Sequence, residues 1–323
     1  MILSLRRWLP QMGLTGIISA LMVFLASRQS LFLSPETAAQ IFKYYSPMAM
    51  LALGMTFVIL TGGIDLSVGF VMMLLMFVMA GLIRDYPGIT PGIAIACGFG
   101  TALLIGGITA VAVACARIPA FIVTLAVMVT AYGVTILISK NLSIGNLPET
   151  LLWLGKAEFR MFGADFPVMT LVVIGAYLLA ALLLHRTQFG RYLYAIGSNR
   201  EAARLSGVHV PRVEGGAYLL CALCVWVAAL MQLGINRNAD PKVALSDNLE
   251  LNAIAIVVIG GTSLSGGRGG VSGTALGALL LALIFYGLPL IGINEPSYKK
   301  IIQGGIILLG AILDSLQRRF GRA

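Results

Sequence analysis

Charged residues are scarce in this chain. They make up 11% of its 323 residues, while hydrophobic residues make up 59%. A soluble domain has about 25% charged residues and cannot bury this much apolar surface at this length. Apolar runs of about 20 residues recur without apolar–polar alternation, which favours membrane-spanning helices over a transmembrane β-barrel. The sequence therefore predicts an all-α integral membrane protein with a single transmembrane domain over residues 1–323.

Residue patterns for catalysis and metal binding are also missing. The sequence has no G-x-x-x-x-G-K-S/T nucleotide loop and no H-E-x-x-H zinc motif. Its two histidines, His185 and His209, have no nearby Cys, Asp or Glu arrangement typical of a metal site. The pair Cys221-x-x-Cys224 resembles a redox or metal pair, but it lies in an apolar run and is interpreted as two small hydrophobic residues. We expect no catalytic residues, no cofactor and no metal.

Basic residues at the two ends indicate how the chain crosses the membrane. Arg6 and Arg7 precede the first apolar run, and Arg318, Arg319 and Arg322 follow the last one. Because Lys and Arg are enriched in cytoplasmic segments, both termini are expected in the cytoplasm. The net charge of +9 thus reflects topology, and without a basic stripe bearing aromatic residues no nucleic-acid partner is expected. About ten spans are predicted, at residues 13–31, 44–62, 66–84, 91–115, 119–139, 168–185, 213–233, 248–262, 271–291 and 298–315.

A glycine-rich motif occurs twice, at an offset of 198 residues. Residues 62–69 (GGIDLSVG) and 260–267 (GGTSLSGG) are identical at five of eight positions. The same offset lays the first span on the seventh, which predicts an internal repeat of four helices, as in many transporters. The alternatives are chance similarity and ordinary tight turns. Candidate pathway or gating residues are Gly62, Gly63, Asp65, Ser67, Gly260, Gly261, Thr262 and Ser263.

Asp65 is the one ionisable residue of interest near the membrane interior. It lies where the second predicted span ends and the third begins. An aspartate in this position is typical of a helix N-cap, which is one interpretation. The other is a role in gating or substrate passage, since ionisable residues within a membrane often mark a pathway.

Small residues recur along the ninth predicted span. Gly269, Gly273 and Gly277 are spaced four residues apart. This spacing places them on one face of a helix and lets another membrane helix approach closely. We therefore predict that this face packs against a helix, either of this subunit or of a second copy.

The longest cytoplasmic segment, residues 186–212, contains a short polar helix. Ser198 followed three residues later by Glu201 is typical of a capping box at a helix start. Gly207 occupies a position that favours the left-handed conformation of a helix end, and Pro211 prevents continuation. A two-turn helix is marginally stable alone, so a capped one between spans is interpreted as a docking element. Since the chain has no nucleotide loop, an external ATPase is a fitting partner.

Four motifs resemble the membrane permeases of ribose-type ABC sugar importers. They cover most of the chain, from about the second span to the tenth. The motifs are residues 62–69 (GGIDLSVG), 118–125 (IPAFIVTL), 258–267 (VIGGTSLSGG), and Gly197-x-Asn199-x-x-Ala202-Ala203-x-x-Ser206-Gly207.

The resemblance implies a complete importer in a bacterial cytoplasmic (inner) membrane. Two permease subunits, identical or related, would form the pathway for a monosaccharide or similar small polyol. A cytoplasmic ATPase dimer would dock on the 199–207 helix, and a periplasmic sugar-binding protein would deliver the substrate. The implied coupling residues are Ser198, Asn199, Glu201, Ala202, Ala203, Ser206 and Gly207.

An alternative function is a stand-alone facilitator or secondary transporter of a small neutral solute. An ion-driven transporter normally keeps ionisable ligands within its spans. Here the spans are nearly bare of such residues apart from Asp65. A capped cytoplasmic helix would also have no evident use in a protein that works alone, so the importer interpretation is favoured.

Overall fold

The computed structural model describes residues 2–242 and 248–320. Within these residues it contains thirteen α-helices, one π-helical turn and one two-stranded antiparallel sheet. The elements are α1 (Ile2–Arg28), α2 (Pro35–Leu60), α3 (Val68–Asp85), α4 (Pro91–Ala110) with the π turn Val111–Cys115, α5 (Ala120–Ser139), α6 (Glu149–Lys156), β1 (Glu158–Met161), β2 (Ala164–Pro167), α7 (Val168–Arg186), α8 (Gln188–Ser198), α9 (Arg200–Leu205), α10 (Val210–Asn236), α11 (Leu249–Ile259), α12 (Val271–Leu290) and α13 (Pro296–Phe320).

Eight of the helices are long and apolar enough to cross a membrane. They are α1, α2, α3, α4 with its π turn, α5, α7, α10 and α12, and they coincide with eight of the ten predicted spans. The all-α multi-pass class is thus confirmed. The tenth prediction, residues 298–315, falls within α13.

The eighth predicted span, residues 248–262, is corrected by the structure. Helix α11 has 11 residues, which gives a length of about 16 Å. The hydrocarbon core of a bilayer is about 30 Å thick, so α11 crosses roughly half of it. The predicted span continues past Gly260 and Gly261, whereas the helix ends at Ile259 with Gly260 as its C-cap.

Helix α2 forms the centre of the bundle and packs along α10. Ser34 caps its start by accepting a hydrogen bond from the Thr37 N–H, and all residues from Met50 to Leu60 are buried. Gly54 permits the close approach, since a Cβ there would lie 3.0 Å from Cys224 Cβ and 3.1 Å from Cys221 Cα. The two cysteines are free thiols that serve as small packing surfaces at this crossing.

The small-residue face of α12 lies against α11 of the same subunit. A Cβ at Gly273 would overlap the carbonyl oxygen of Gly260, and one at Gly277 would overlap that of Ile256. Gly269 precedes the helix with φ +119°, where a Cβ would overlap the Thr262 side chain. This face is therefore occupied within the subunit and is not free for a second copy.

Residues 140–167 fold against the end of α10. Helix α6 buries Leu151 and Leu152, and Gly155 faces Gly234 so closely that a Cβ on Gly155 would lie 2.5 Å from Gly234 Cα. The hairpin that follows pairs Phe159 with Phe166. This packing depends on contacts between distant segments and could not be read from the sequence.

Candidate coupling site and transport pathway

Helix α9 begins one residue later than the capping-box prediction requires. Helix α8 continues through Ser198, so the cap is Asn199, whose Oδ1 accepts a hydrogen bond from the Ala202 N–H at 3.0 Å. Glu201 does not reach back to the cap. Its carboxylate instead accepts two hydrogen bonds of 3.1 Å from Arg204 Nε. The predicted Ser198–Glu201 box is therefore wrong, although an efficient capping residue still starts the helix.

The end of α9 agrees with the sequence prediction. Gly207 has φ +84°, and its N–H donates to the Arg204 carbonyl at 3.0 Å. The Val208 N–H donates to the Ala203 carbonyl at 3.1 Å, which completes a Schellman motif. Pro211 lies in the first turn of α10, so it starts the next helix as well as ending this segment.

One face of α9 is held by the rest of the chain. Ala203 is buried in the main core cluster together with Val208. Arg200 Nη2 lies 2.7 Å from Glu214 Oε2, which joins the first residue of α9 to helix α10. These contacts hold α9 in place, and its remaining residues face outward.

A basic groove adjoins α9. Its volume is about 360 Å³, and Arg117 from the α4–α5 connection shares its lining with Arg200 and Arg204. The pKa of Glu201 is lowered, mainly by the Arg204 hydrogen bond and to a smaller extent by the charges of Arg204 and Arg117. The carboxylate is therefore ionised at neutral pH, within a surface that is otherwise positive.

The first glycine loop, residues 61–67 between α2 and α3, contains a turn that the Asp65 side chain stabilises. Its Oδ1 accepts hydrogen bonds from the Ser67 N–H at 2.8 Å and from Ser67 Oγ at 2.6 Å, and both residues are buried. Helix α3 begins at Val68 with no side-chain cap. The N-cap interpretation is therefore wrong, because Asp65 closes a turn ahead of the helix instead of satisfying its N–H groups. Thr124 of α5 donates to the Ile64 carbonyl at 3.3 Å and holds the loop.

The second glycine loop repeats the local structure of the first at an offset of 199 residues. Gly62 and Gly261 both have φ +86°. The Gly62 N–H donates to the Ile59 carbonyl and the Gly261 N–H to the Val258 carbonyl, each at 2.9 Å. The predicted offset of 198 residues is thus wrong by one. Sequence identity aligns the pair Gly62-Gly63 with the pair Gly260-Gly261. In the structure the left-handed residue is the first glycine of the first pair and the second glycine of the second pair.

The two loops then diverge, with α3 beginning at Val68 and α12 at Val271. Within the longer loop the Ser263 N–H donates to the Arg268 carbonyl at 3.0 Å, and Thr262 Oγ1 accepts from the Gly270 N–H at 3.3 Å. The loops nevertheless meet, since the Gly267 N–H donates to the Leu60 carbonyl at 3.0 Å. The pathway candidates of both motifs therefore lie at the same end of the bundle.

A cavity of about 780 Å³ opens at the opposite end of α2 and α11 from the glycine loops. Polar side chains share its lining with aromatic and aliphatic ones, and Leu249 and Asn252 from the first turn of α11 border it. Gln303 Nε2 donates to the Asn248 carbonyl at 3.3 Å, which ties α13 to the start of α11. The polar and aromatic lining residues are Tyr44, Tyr45, Gln232, Asn236, Asn252, Phe285, Lys299, Lys300 and Gln303.

The family model described as "Branched-chain amino acid transport system / permease component" matches residues 37–311. The chain belongs to this permease family. The permease is 34% identical to the ribose import permease protein RbsC of Escherichia coli K12, over 96% of its own length and 95% of that protein. It is 36% identical to RbsC of Bacillus subtilis 168 over 88% and 86% of the two chains. It is 33% identical to the fructose import permease protein FrcC of Rhizobium meliloti over 89% and 80%.

No solved structure matches the permease significantly. Family membership and the eight long apolar helices make it a multi-pass protein of the cytoplasmic membrane. Members of such a family are transport subunits and not enzymes by themselves.

Sequence reasoning missed two buried carboxylates in the permease. Glu214 lies on α10 and Glu250 on α11, and both are less than one-tenth exposed. Glu250 lies against α3, since a Cβ at Gly69 would be 2.8 Å from its Oε2. Asp65 is thus one of three buried acidic residues among the described residues, and the spans are less bare than expected. Both lie among the first three residues of a predicted span, 213–233 or 248–262, and only the packing of the neighbouring helices shows that they are buried.

Proposed function

We propose that this permease carries a monosaccharide across the cytoplasmic membrane as the transport subunit of an ATP-driven importer. The observation that carries the proposal is the similarity to ribose and fructose import permeases over nearly the whole chain. The family description names branched-chain amino acids instead, so the substrate class needs support from the permease itself.

The cavity of about 780 Å³ suits a hydroxyl-rich substrate, and because Lys299 and Lys300 share its lining it disfavours a cation. Ligand sites have volumes of about 300–1,000 Å³ and a few convergent polar groups on an apolar wall. Here Gln232, Asn236 and Gln303 offer amide donors and acceptors that suit hydroxyl groups. We assign the passage of sugar to this cavity, with delivery by a periplasmic sugar-binding protein.

Helix α9 is proposed as the contact with a cytoplasmic ATPase dimer. The Arg200–Glu214 ion pair and the buried Ala203 hold one side of α9 against the bundle, and the other side is exposed, so displacement of the helix would be transmitted to the bundle. Glu201, Ala202 and Ser206 supply the outward surface, while Ser198, Asn199, Ala203 and Gly207 set the position of the helix. Leu205 belongs to this surface as well, since it is 75% exposed.

The glycine loops are proposed as the inner gate of the pathway, with a second permease subunit, identical or related, completing the conduit. One side of the gate would be formed by Gly62, Gly63, Asp65 and Ser67. The other side would be formed by Gly260, Gly261, Thr262 and Ser263. Import requires that sugar affinity differ between outward and inward states, so ATP binding must shift the gate between them. The first glycine loop is held against α5 by the turn at Asp65 and by the hydrogen bond from Thr124 to the Ile64 carbonyl.

The proposal is tested in proteoliposomes. The permease with its cognate ATPase and binding protein should take up labelled ribose or fructose in an ATP-dependent manner, and leucine should not enter. Leucine uptake in place of sugar would overturn the substrate class. Rapid sugar flux through the permease alone would instead support the facilitator.

The cavity is tested by substituting two of its amides, Gln232→Leu and Gln303→Leu. Each lost hydrogen bond is worth about 0.5–1.5 kcal/mol, so sugar uptake should fall roughly 2- to 10-fold per substitution while ATP hydrolysis persists. Uptake at the wild-type rate in the double variant would exclude the cavity from the pathway.

A further inference from the structure

Helix α8, which leads into the α9 coupling helix, packs directly on both glycine loops. A Cβ at Gly197 would overlap the Leu60 carbonyl oxygen and the Gly267 nitrogen. A Cβ at Gly266 would lie 2.9 Å from Gly197 Cα and 2.6 Å from the Gly62 nitrogen. Three separate segments therefore meet main chain to main chain, and we refer to Gly197, Gly266 and Gly267 as the glycine joint.

Hydrogen bonds connect the same segments. The Leu60 carbonyl, at the end of α2, accepts from the Gly267 N–H at 3.0 Å. Tyr194, one turn before Gly197 on α8, donates through its hydroxyl to the Gly269 carbonyl at 3.0 Å. Helix α8 is thus bonded to the second loop, which is bonded in turn to the end of α2.

The geometry also fixes the conformation of the joint. Gly266 and Gly267 have φ +83° and +73°, which L-residues with side chains rarely adopt. Because no side chain separates the segments, a displacement of α8 cannot be absorbed by a change of side-chain rotamer. Packed main chain transmits displacement in this way because close-packed interiors have little room to deform.

We propose that the glycine joint is the element through which movement of α9 reaches the gate. Gly197, Gly266 and Gly267 act as positioning residues: α9 moves α8, and α8 moves the end of α2 and the α11–α12 loop together. The inference rests on the proposed ATP-driven function, and it assigns a role to residues that lie outside both the coupling surface and the gating candidates.

The experiment uses the complete assembly in proteoliposomes and the variant Gly197→Ala. One methyl group should separate α8 from Leu60 and Gly267, so sugar uptake per ATP hydrolysed should fall about tenfold or more, in the range of typical coupling energies. Co-purification of the ATPase should persist, because α9 keeps its cap and its contact with Glu214. Gly175→Ala on α7 is the matched control, since it makes the same change in helix propensity and its Cβ meets nothing within 4 Å.

An unchanged ratio of uptake to ATP hydrolysis in Gly197→Ala would overturn the proposal. If that variant does not assemble, Tyr194→Phe decides, because it removes the bond to Gly269 and adds no atoms. Its uptake per ATP should then fall roughly 2- to 10-fold, as expected for one lost hydrogen bond. An unchanged ratio there would equally reject the joint. A wild-type assembly without any sugar uptake would reject the proposed function itself, whatever the variants do.

Discussion

Arg200 forms an ion pair with Glu214, with Arg200 Nη2 2.7 Å from Glu214 Oε2. The glutamate side chain is only 8% exposed, whereas the arginine side chain is 44% exposed and open to solvent on one side. The pair joins the first residue of the coupling helix to a spanning helix. It also provides a charged partner for a carboxylate that would otherwise be buried alone.

Arg200→Ala should destabilise the permease by leaving the Glu214 carboxylate buried without its cation. Breaking a buried pair costs about 3–5 kcal/mol, but solvent screening of the exposed arginine reduces this to about 1–2 kcal/mol. The melting temperature of the purified permease should fall, and ATPase co-purification should weaken. The double variant Arg200→Ala, Glu214→Gln should recover part of the loss. A double variant no better than Arg200→Ala would show that the pair does not hold the helix.

Gly207→Val should impair coupling, and Gly207→Asn should not. The space around Gly207 is open, so only its left-handed backbone conformation restricts substitution. Valine in that conformation costs about 1–3 kcal/mol, whereas asparagine tolerates it. ATPase co-purification and sugar uptake measure the difference. Equal behaviour of the two variants would mean that the Schellman end of α9 does not matter for docking.

Leu205→Asp should weaken ATPase binding about tenfold or more, because it replaces an apolar side chain of the proposed docking surface with a charge that binding would bury. Because Leu205 is 75% exposed, the permease should still fold and insert. Leu142→Asp is the matched control, since Leu142 is 68% exposed in the connection after α5 at the opposite end of the bundle. Normal ATPase binding by Leu205→Asp would remove this residue from the docking surface.

Asp65→Asn should retain most of the transport activity, whereas Asp65→Ala should lose it. The asparagine Oδ1 can still accept from the Ser67 N–H and hydroxyl, but alanine leaves both donors unpaired inside the protein. An unpaired buried donor costs about 1–3 kcal/mol. Uptake is measured at matched expression. A complete loss in Asp65→Asn would indicate that the charge itself serves the pathway.

Features that depend on local sequence could be predicted, and those that depend on distant contacts could not. The long apolar runs located eight spans, and Gly207 located the end of α9, because both are set by neighbouring residues. The break of α11 at Gly260 was misplaced because nothing local distinguishes a half-span from a short span. Ala203 and Leu205 illustrate the same limit, since only the packing on α10 shows which of them faces outward.

The glycine joint could not be predicted for a further reason. Its members are separated by about 70 residues along the chain, between Gly197 and Gly266, and glycine is common in membrane helices generally. Only the distances between main-chain atoms distinguish Gly197 from glycines with open surroundings, such as Gly175.

The shortness of α11 has a consequence for biosynthesis. Eleven residues, two of which are the polar Glu250 and Asn252, are too few to anchor in a bilayer on their own. The helices that surround α11 include α12 and α13, both of which follow it from the ribosome. Its final burial must therefore wait until the last quarter of the polypeptide has been synthesised, and a nascent chain that stops before α12 should leave this segment accessible to water-soluble labelling reagents.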